Sequence, residues 1–91
     1  MTKMVLVLDE CIYSKRLKNA IEDSVDNVDV KYLGDGVSDN YIRSYMNNHN
    51  FVIVTADVQL SDSLGIKSLY LESKLKITEI IRIIKIWIGG K

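Results

Sequence analysis

The chain has 91 residues, 47% hydrophobic and 26% charged, a globular composition that excludes a disordered chain and fits one small domain over residues 1–91. Lysine plus arginine equals aspartate plus glutamate, so the formal net charge is zero and any nucleic-acid contact must come from a local basic patch. The single cysteine, Cys11, excludes a disulfide framework or a cysteine zinc site within one chain and fits a reducing cytoplasm. The apolar run Met4 to Leu8 is too short for a signal segment and meets acids directly. The run Ile77 to Ile88, interrupted by Arg82 and Lys85, is too short to span a bilayer, so a soluble protein with no membrane role is expected.

In chain order, Met4 to Leu8 is a continuous apolar run, the pattern of a strand buried on both faces of a parallel sheet. Ser14 then suits an N-cap, with Leu17, Ala20, Ile21 and Val25 at helical spacing. Val28 to Leu33 alternates, which predicts a second strand nearer an edge. After the turn Gly34-Asp-Gly36, a helix starts at Ser38 or Asp39 with Tyr41, Ile42, Tyr45 and Met46 on its inner face. Phe51 to Thr55 predicts another central strand, and Val58 to Leu64 a short helical turn closed by Gly65. Lys67 to Leu71 predicts a fourth strand, and Leu75 to Ile88 a last helix ended by Gly89-Gly90.

Strands alternating with helices imply right-handed βαβ units. The expected fold is an α/β three-layer sandwich with a four-stranded parallel sheet in the order 2-1-3-4. In such sheets ligands bind beyond the carboxyl ends of the strands, where the order reverses. Here that point lies between the first and third strands.

Asp9 with Glu10, Asp39 and Asp57 all fall on that edge in this layout. Carboxylates packed together repel one another unless protonated or bridged by a cation. Oxygen-only sites of this kind suit Mg²⁺ or Mn²⁺, and the expected chemistry is metal-assisted phosphodiester hydrolysis. Two of the acids also have a structural use: Asp39 suits a helix first turn, and Asp57 could cap the helix after it, whereas Asp9, at the end of a buried strand, is harder to explain that way.

Three stretches carry a family resemblance. Leu6-Val-Leu-Asp-Glu-Cys-Ile12 followed by Leu17, Gly36-Val-Ser-Asp-Asn-Tyr-Ile42, and Phe51-Val-Ile-Val-Thr-Ala-Asp57 occur in that order. Together they resemble the motifs of small PIN-like proteins, the superfamily of Mg²⁺/Mn²⁺-dependent ribonucleases that includes VapC-type toxins of toxin–antitoxin pairs. The resemblance implies that Asp9, Asp39 and Asp57 are the catalytic, metal-binding acids, with Glu10 and Thr55 close by. Two positions depart from it: Gln59 stands where the family often has another aspartate, and Cys11 where it usually has asparagine.

Lys15, Arg16 and Lys18 on the first helix, and Arg43 on the second, are candidates to hold RNA phosphates, or simply solvated faces. Cys11 reads as a small buried hydrophobe. Tyr41 and Tyr45 read as core before base-stacking groups, and His49 as surface. On the last helix Ile77, Ile80, Ile81, Ile84 and Ile88 form one stripe, and Ile83, Ile86 and Trp87 widen the apolar arc to roughly two hundred degrees at about 100° per residue. One sheet face needs about half of that, so Ile83, Ile86 or Trp87 is expected to meet a second copy or an antitoxin-like partner. A phospho-receiver domain is disfavoured, because its acceptor aspartate would stand where Thr55 does.

Overall fold

The computed structural model describes residues 3–89. Its elements are β1 (Met4–Leu8), α1 (Lys15–Ser24), β2 (Val28–Tyr32), α2 (Asp39–Asn48), β3 (Val52–Thr55), α3 (Val58–Leu64), a 3₁₀ turn (Gly65–Lys67), β4 (Ser68–Tyr70) and α4 (Ile77–Gly89). The strands form one four-stranded, all-parallel sheet in the predicted order β2-β1-β3-β4.

Successive residues of a strand point to opposite faces, so one apolar run serves two cores. Leu6, Leu8 and Val54 join Leu17 and Ile21 of α1 and Ile80 and Ile84 of α4 on one face. Val7 and Ile53 meet Ile42 and Met46 of α2 and Leu60 of α3 on the other. Leu6, Val7 and Leu8 are at most 1% exposed, and each such burial contributes about 1.5–3 kcal/mol. That is why β1 carries no polar residue before Asp9.

The helix starts follow from local chemistry. The Ser14 hydroxyl accepts the Leu17 N–H at 3.0 Å and the Ser38 hydroxyl accepts the Tyr41 N–H at 3.2 Å. Each bond satisfies a helix-end donor that would otherwise lack a partner.

Several elements depart from the sequence expectation. The fourth strand begins at Ser68, not Lys67, and ends at Tyr70. Gly65 takes φ 57°, ψ −124°, and the chain curls into the 3₁₀ turn before it can pair. The Lys67 ammonium instead donates to the carbonyls of Met46, at 2.8 Å, and His49, at 3.3 Å. The last helix begins at Ile77 and not at Leu75, because Lys74 sits at φ 71° and turns the chain first. The Glu79 carboxylate then accepts the Lys76 N–H at 3.0 Å, one half of a capping box. Gly89 is the last residue of α4, and Gly90 lies outside the described residues. Tyr41 is not core: it is 48% exposed. Among the described residues no helix is long and apolar enough to cross a membrane.

Candidate functional site

The register Leu8↔Val54 brings the ends of β1 and β3 level. One bond further, the Asp9 N–H donates to the Val54 carbonyl at 3.0 Å, and the Leu71 N–H donates to the Thr55 carbonyl at 2.9 Å. Asp9 and Thr55 therefore leave the sheet side by side at its carboxyl edge.

Thr55 is fully buried, and its hydroxyl is the centre of this edge. It donates to Asp9 Oδ2 at 2.6 Å and accepts the Asp57 N–H at 3.0 Å. The Cys11 thiol also donates to Asp9 Oδ2, at 3.2 Å, while its sulfur accepts the Ala56 N–H at 3.4 Å. Asp9 Oδ1 accepts the Glu10 N–H at 2.9 Å. Both oxygens of Asp9 are thus held by protein donors, and two loops are tied together through one carboxylate.

Cys11 is an exposed residue whose sulfur reaches back between these loops, not the buried hydrophobe that composition alone predicts. A lone cysteine has the hydropathy of a core residue, and only the crossing of the two loops gives it polar partners. Desolvation pushes its thiol pKa up, the Asp9 carboxylate reinforces that, and the Ala56 N–H opposes it.

Asp57 serves as the N-cap of α3: its Oδ1 accepts the N–H groups of Gln59 at 3.0 Å and Leu60 at 3.2 Å. Asp39 is the first residue of α2, exposed, with Ser38 as the cap beside it. Glu10 points to the loop after β2, where both its oxygens accept the Gly36 N–H at 3.1 Å. Gly36 has φ 71°, the left-handed conformation that glycine adopts without strain. A small cleft lies beneath, with a free volume of about 10 Å³, lined in part by Asp9, Glu10, Gly34 and Val37. That is about the space one water needs.

The edge therefore gathers Asp9, Thr55 and Asp57 into one hydrogen-bonded unit and holds Glu10 at its rim. Among the described residues, no three His, Cys, Asp or Glu side chains converge on a point where one ion could sit. Asp39 is exposed in the first turn of α2, and each of the other acids answers to its own donors. In chemical kind the donor set fits a hard divalent cation, since it is carboxylate and hydroxyl oxygen. Gln59 puts an exposed amide on the first turn of α3, so this flank gains no further carboxylate.

The basic candidates fall in different places. Lys15 and Arg16 are exposed at the start of α1, on the same edge as Asp9. Lys18 is paired with Glu22 at 2.9 Å. Arg43 is directed to α3, donating to Ser63 Oγ at 3.0 Å and to Asn40 Oδ1 at 3.3 Å. On α4, Ile83 and Trp87 pack against the α1-side core, whereas Ile86 is 66% exposed. The domain absorbs two of the three residues expected to face a partner, because α4 lies against α1 as well as the sheet.

Fold and edge together define a small parallel α/β domain with a carboxylate–hydroxyl cluster at its topological switch point. No protein-family model, curated protein or solved structure matches the chain.

Proposed function

We propose that the chain is a PIN-like, metal-dependent endoribonuclease that hydrolyses RNA phosphodiester bonds at the carboxyl edge of its sheet, acting as the toxin of a toxin–antitoxin pair. One observation carries the reading: Thr55 couples Asp9 to Asp57 at the point where the strand order reverses. The resemblance assigns Mg²⁺ or Mn²⁺ to Asp9, Asp39 and Asp57, whose side chains would have to close on one ion from where they stand; when bound, the metal would supply positive charge and a more acidic water at a phosphate. Thr55 fixes the direction of the Asp9 carboxylate. Lys15 and Arg16 supply cations beside the site for the RNA backbone. The exposed Ile86 on α4 is the surface an antitoxin-like chain or a second copy would cover.

The test is cleavage of a single-stranded RNA with Mn²⁺, comparing the wild type with Asp9→Asn. Loss of cleavage in the variant supports the reading; metal-dependent cleavage that survives Asp9→Asn overturns it.

A second reading is favoured by Gln59 and by the occupied oxygens of Asp9: a PIN-like module with weakened or lost catalysis that acts through protein contacts. A ligand that binds only the folded state raises its stability by mass action. A melting temperature unmoved by millimolar Mn²⁺ supports this second reading over the first.

A further inference from the structure

The outer face of α2 carries an aromatic ladder that the acidic edge does not use. Tyr41, Tyr45 and His49 recur every four residues, which stacks them along one side of a helix. The Tyr41 and Tyr45 rings meet edge to face at 6.3 Å. Tyr45 and His49 are stacked at 4.3 Å with 23° between planes, and His49 continues onto Phe51 at 4.9 Å. His49 Nδ1 lies 2.9 Å from the Tyr45 carbonyl oxygen, which fixes the imidazole as a rung.

Part of this ladder has structural work to do. Tyr45 and Phe51 pack against the core formed by Ile42, Met46 and Ile53. Tyr41 has none: it lies outside that core and is 48% exposed. His49 is exposed too. Between the rungs runs a groove of about 260 Å³ lined by Tyr41, Ser44, Tyr45, Asn48 and His49. It is smaller than the ~300–1,000 Å³ of a drug-sized site, so it suits one or two planar rings. Ser44 and Asn48 present a hydroxyl and an amide at its side, the groups that meet base edges.

No acidic residue lines this groove, so a polyanion would meet no carboxylate along it. From Asn40 to Ala56 the chain contains no acidic residue, and it does contain Arg43 and His49. The ladder also points at the proposed site. α2 runs from Asp39 at the carboxyl edge back along the sheet, so Tyr41 is the rung nearest the acids. The helix is about 15 Å long, enough for a few stacked nucleotides.

We propose that Tyr41, Tyr45 and His49 form a stacking platform for unpaired RNA bases, which leads a single strand along α2 to the carboxyl edge. The choice of RNA rests on the nuclease reading; the platform itself rests on the rings. Each base stacked on an aromatic side chain gains enough that removing the ring weakens binding about tenfold.

The experiment is fluorescence anisotropy of a labelled, unstructured RNA of about ten nucleotides, in EDTA so that cleavage plays no part. Tyr41→Ala and His49→Ala are each expected to weaken binding about tenfold. Tyr41→Phe retains binding, and a duplex of the same sequence competes poorly. Light scattering is run on the same samples. The proposal is overturned if the alanine variants bind as the wild type does, or if the wild type does not bind. It is also overturned if Tyr41→Ala converts a wild-type dimer into a monomer, which assigns the ladder to self-association. Binding that behaves as expected alongside no Mn²⁺-dependent cleavage rejects the nuclease reading and leaves the platform standing.

Discussion

The Thr55 hydroxyl donates to Asp9 Oδ2 across the seam between β1 and β3, at 2.6 Å. Thr55 Oγ1 in turn accepts the Asp57 N–H at 3.0 Å, so a single fully buried side chain sets two acidic positions. Thr55→Val keeps the shape and removes both bonds. Asp9 Oδ2 keeps the Cys11 thiol as a donor, while the Asp57 N–H is left short of a partner, a loss of about 1–3 kcal/mol. Urea unfolding is expected to show that loss, with Thr55→Ser falling closer to the wild type.

Asp57 separates capping from charge. Asp57→Ala removes the acceptor for the Gln59 and Leu60 N–H groups and is expected to cost about 1 kcal/mol. Asp57→Asn keeps the acceptor, so it should unfold near the wild-type urea concentration. Under the nuclease reading both variants lose Mn²⁺-dependent cleavage. An active Asp57→Asn protein would limit Asp57 to its cap.

Cys11 should be a slow thiol. Burial raises its pKa first, with Asp9 adding to the rise against the Ala56 N–H, so less thiolate forms than on a free cysteine. Iodoacetamide at mildly alkaline pH should therefore alkylate the folded protein more slowly than the urea-unfolded one. The linkage has a definite sign. The folded state holds the proton more tightly, so this contribution is intact below the unfolded thiol's pKa, about 8.5, and is lost as pH climbs through the raised folded value. Cys11→Ser should flatten the alkaline limb of the stability curve.

Glu22 gives the opposite slope. The Lys18 hydrogen bond lowers its pKa most, and the Val30 N–H, 3.2 Å away, lowers it further. Its contribution is present above about pH 4.3 and disappears as pH falls through the lowered folded value. Unfolding midpoints measured down the acid range should fall less steeply in Glu22→Gln. Salt should shrink the Lys18 part, since that pair is partly exposed.

Two isoleucines of α4 separate core from surface. Ile84 is fully buried and Ile86 is 66% exposed. Ile84→Ala is expected to cost about 2–5 kcal/mol. Ile86→Asp should stay within about 0.5 kcal/mol of the wild type. If α4 seats a second copy, light scattering should find Ile86→Asp monomeric at concentrations where the wild type is dimeric.

The strand order was readable from Met4–Leu8 and Phe51–Thr55, because only strands covered on both faces carry unbroken apolar runs. Ser14 was readable as a cap. What failed depended on contacts distant in sequence. Tyr41 counts as apolar in a periodicity, yet Ile42 and Met46 hold the inward direction of α2 and turn it outward. Lys67 left the strand for carbonyls at the end of α2. The Asp9–Thr55–Asp57 unit was half visible: the acids stood out by charge, while Thr55 was set beside them only by the family resemblance and by its composition read as ordinary strand material. Nothing in the spacing fixed how far Asp39 stands from the others.

The central place of β1 also governs the order in which the chain can fold. During synthesis Met4–Leu8 emerges before both of its sheet neighbours, and the pairing Leu8↔Val54 waits until β3 has been made. Until then its apolar side chains lack their covering, a hazard typical of non-local parallel pairing. Substitutions that delay β3 should therefore reduce soluble yield more than their effect on equilibrium stability would indicate.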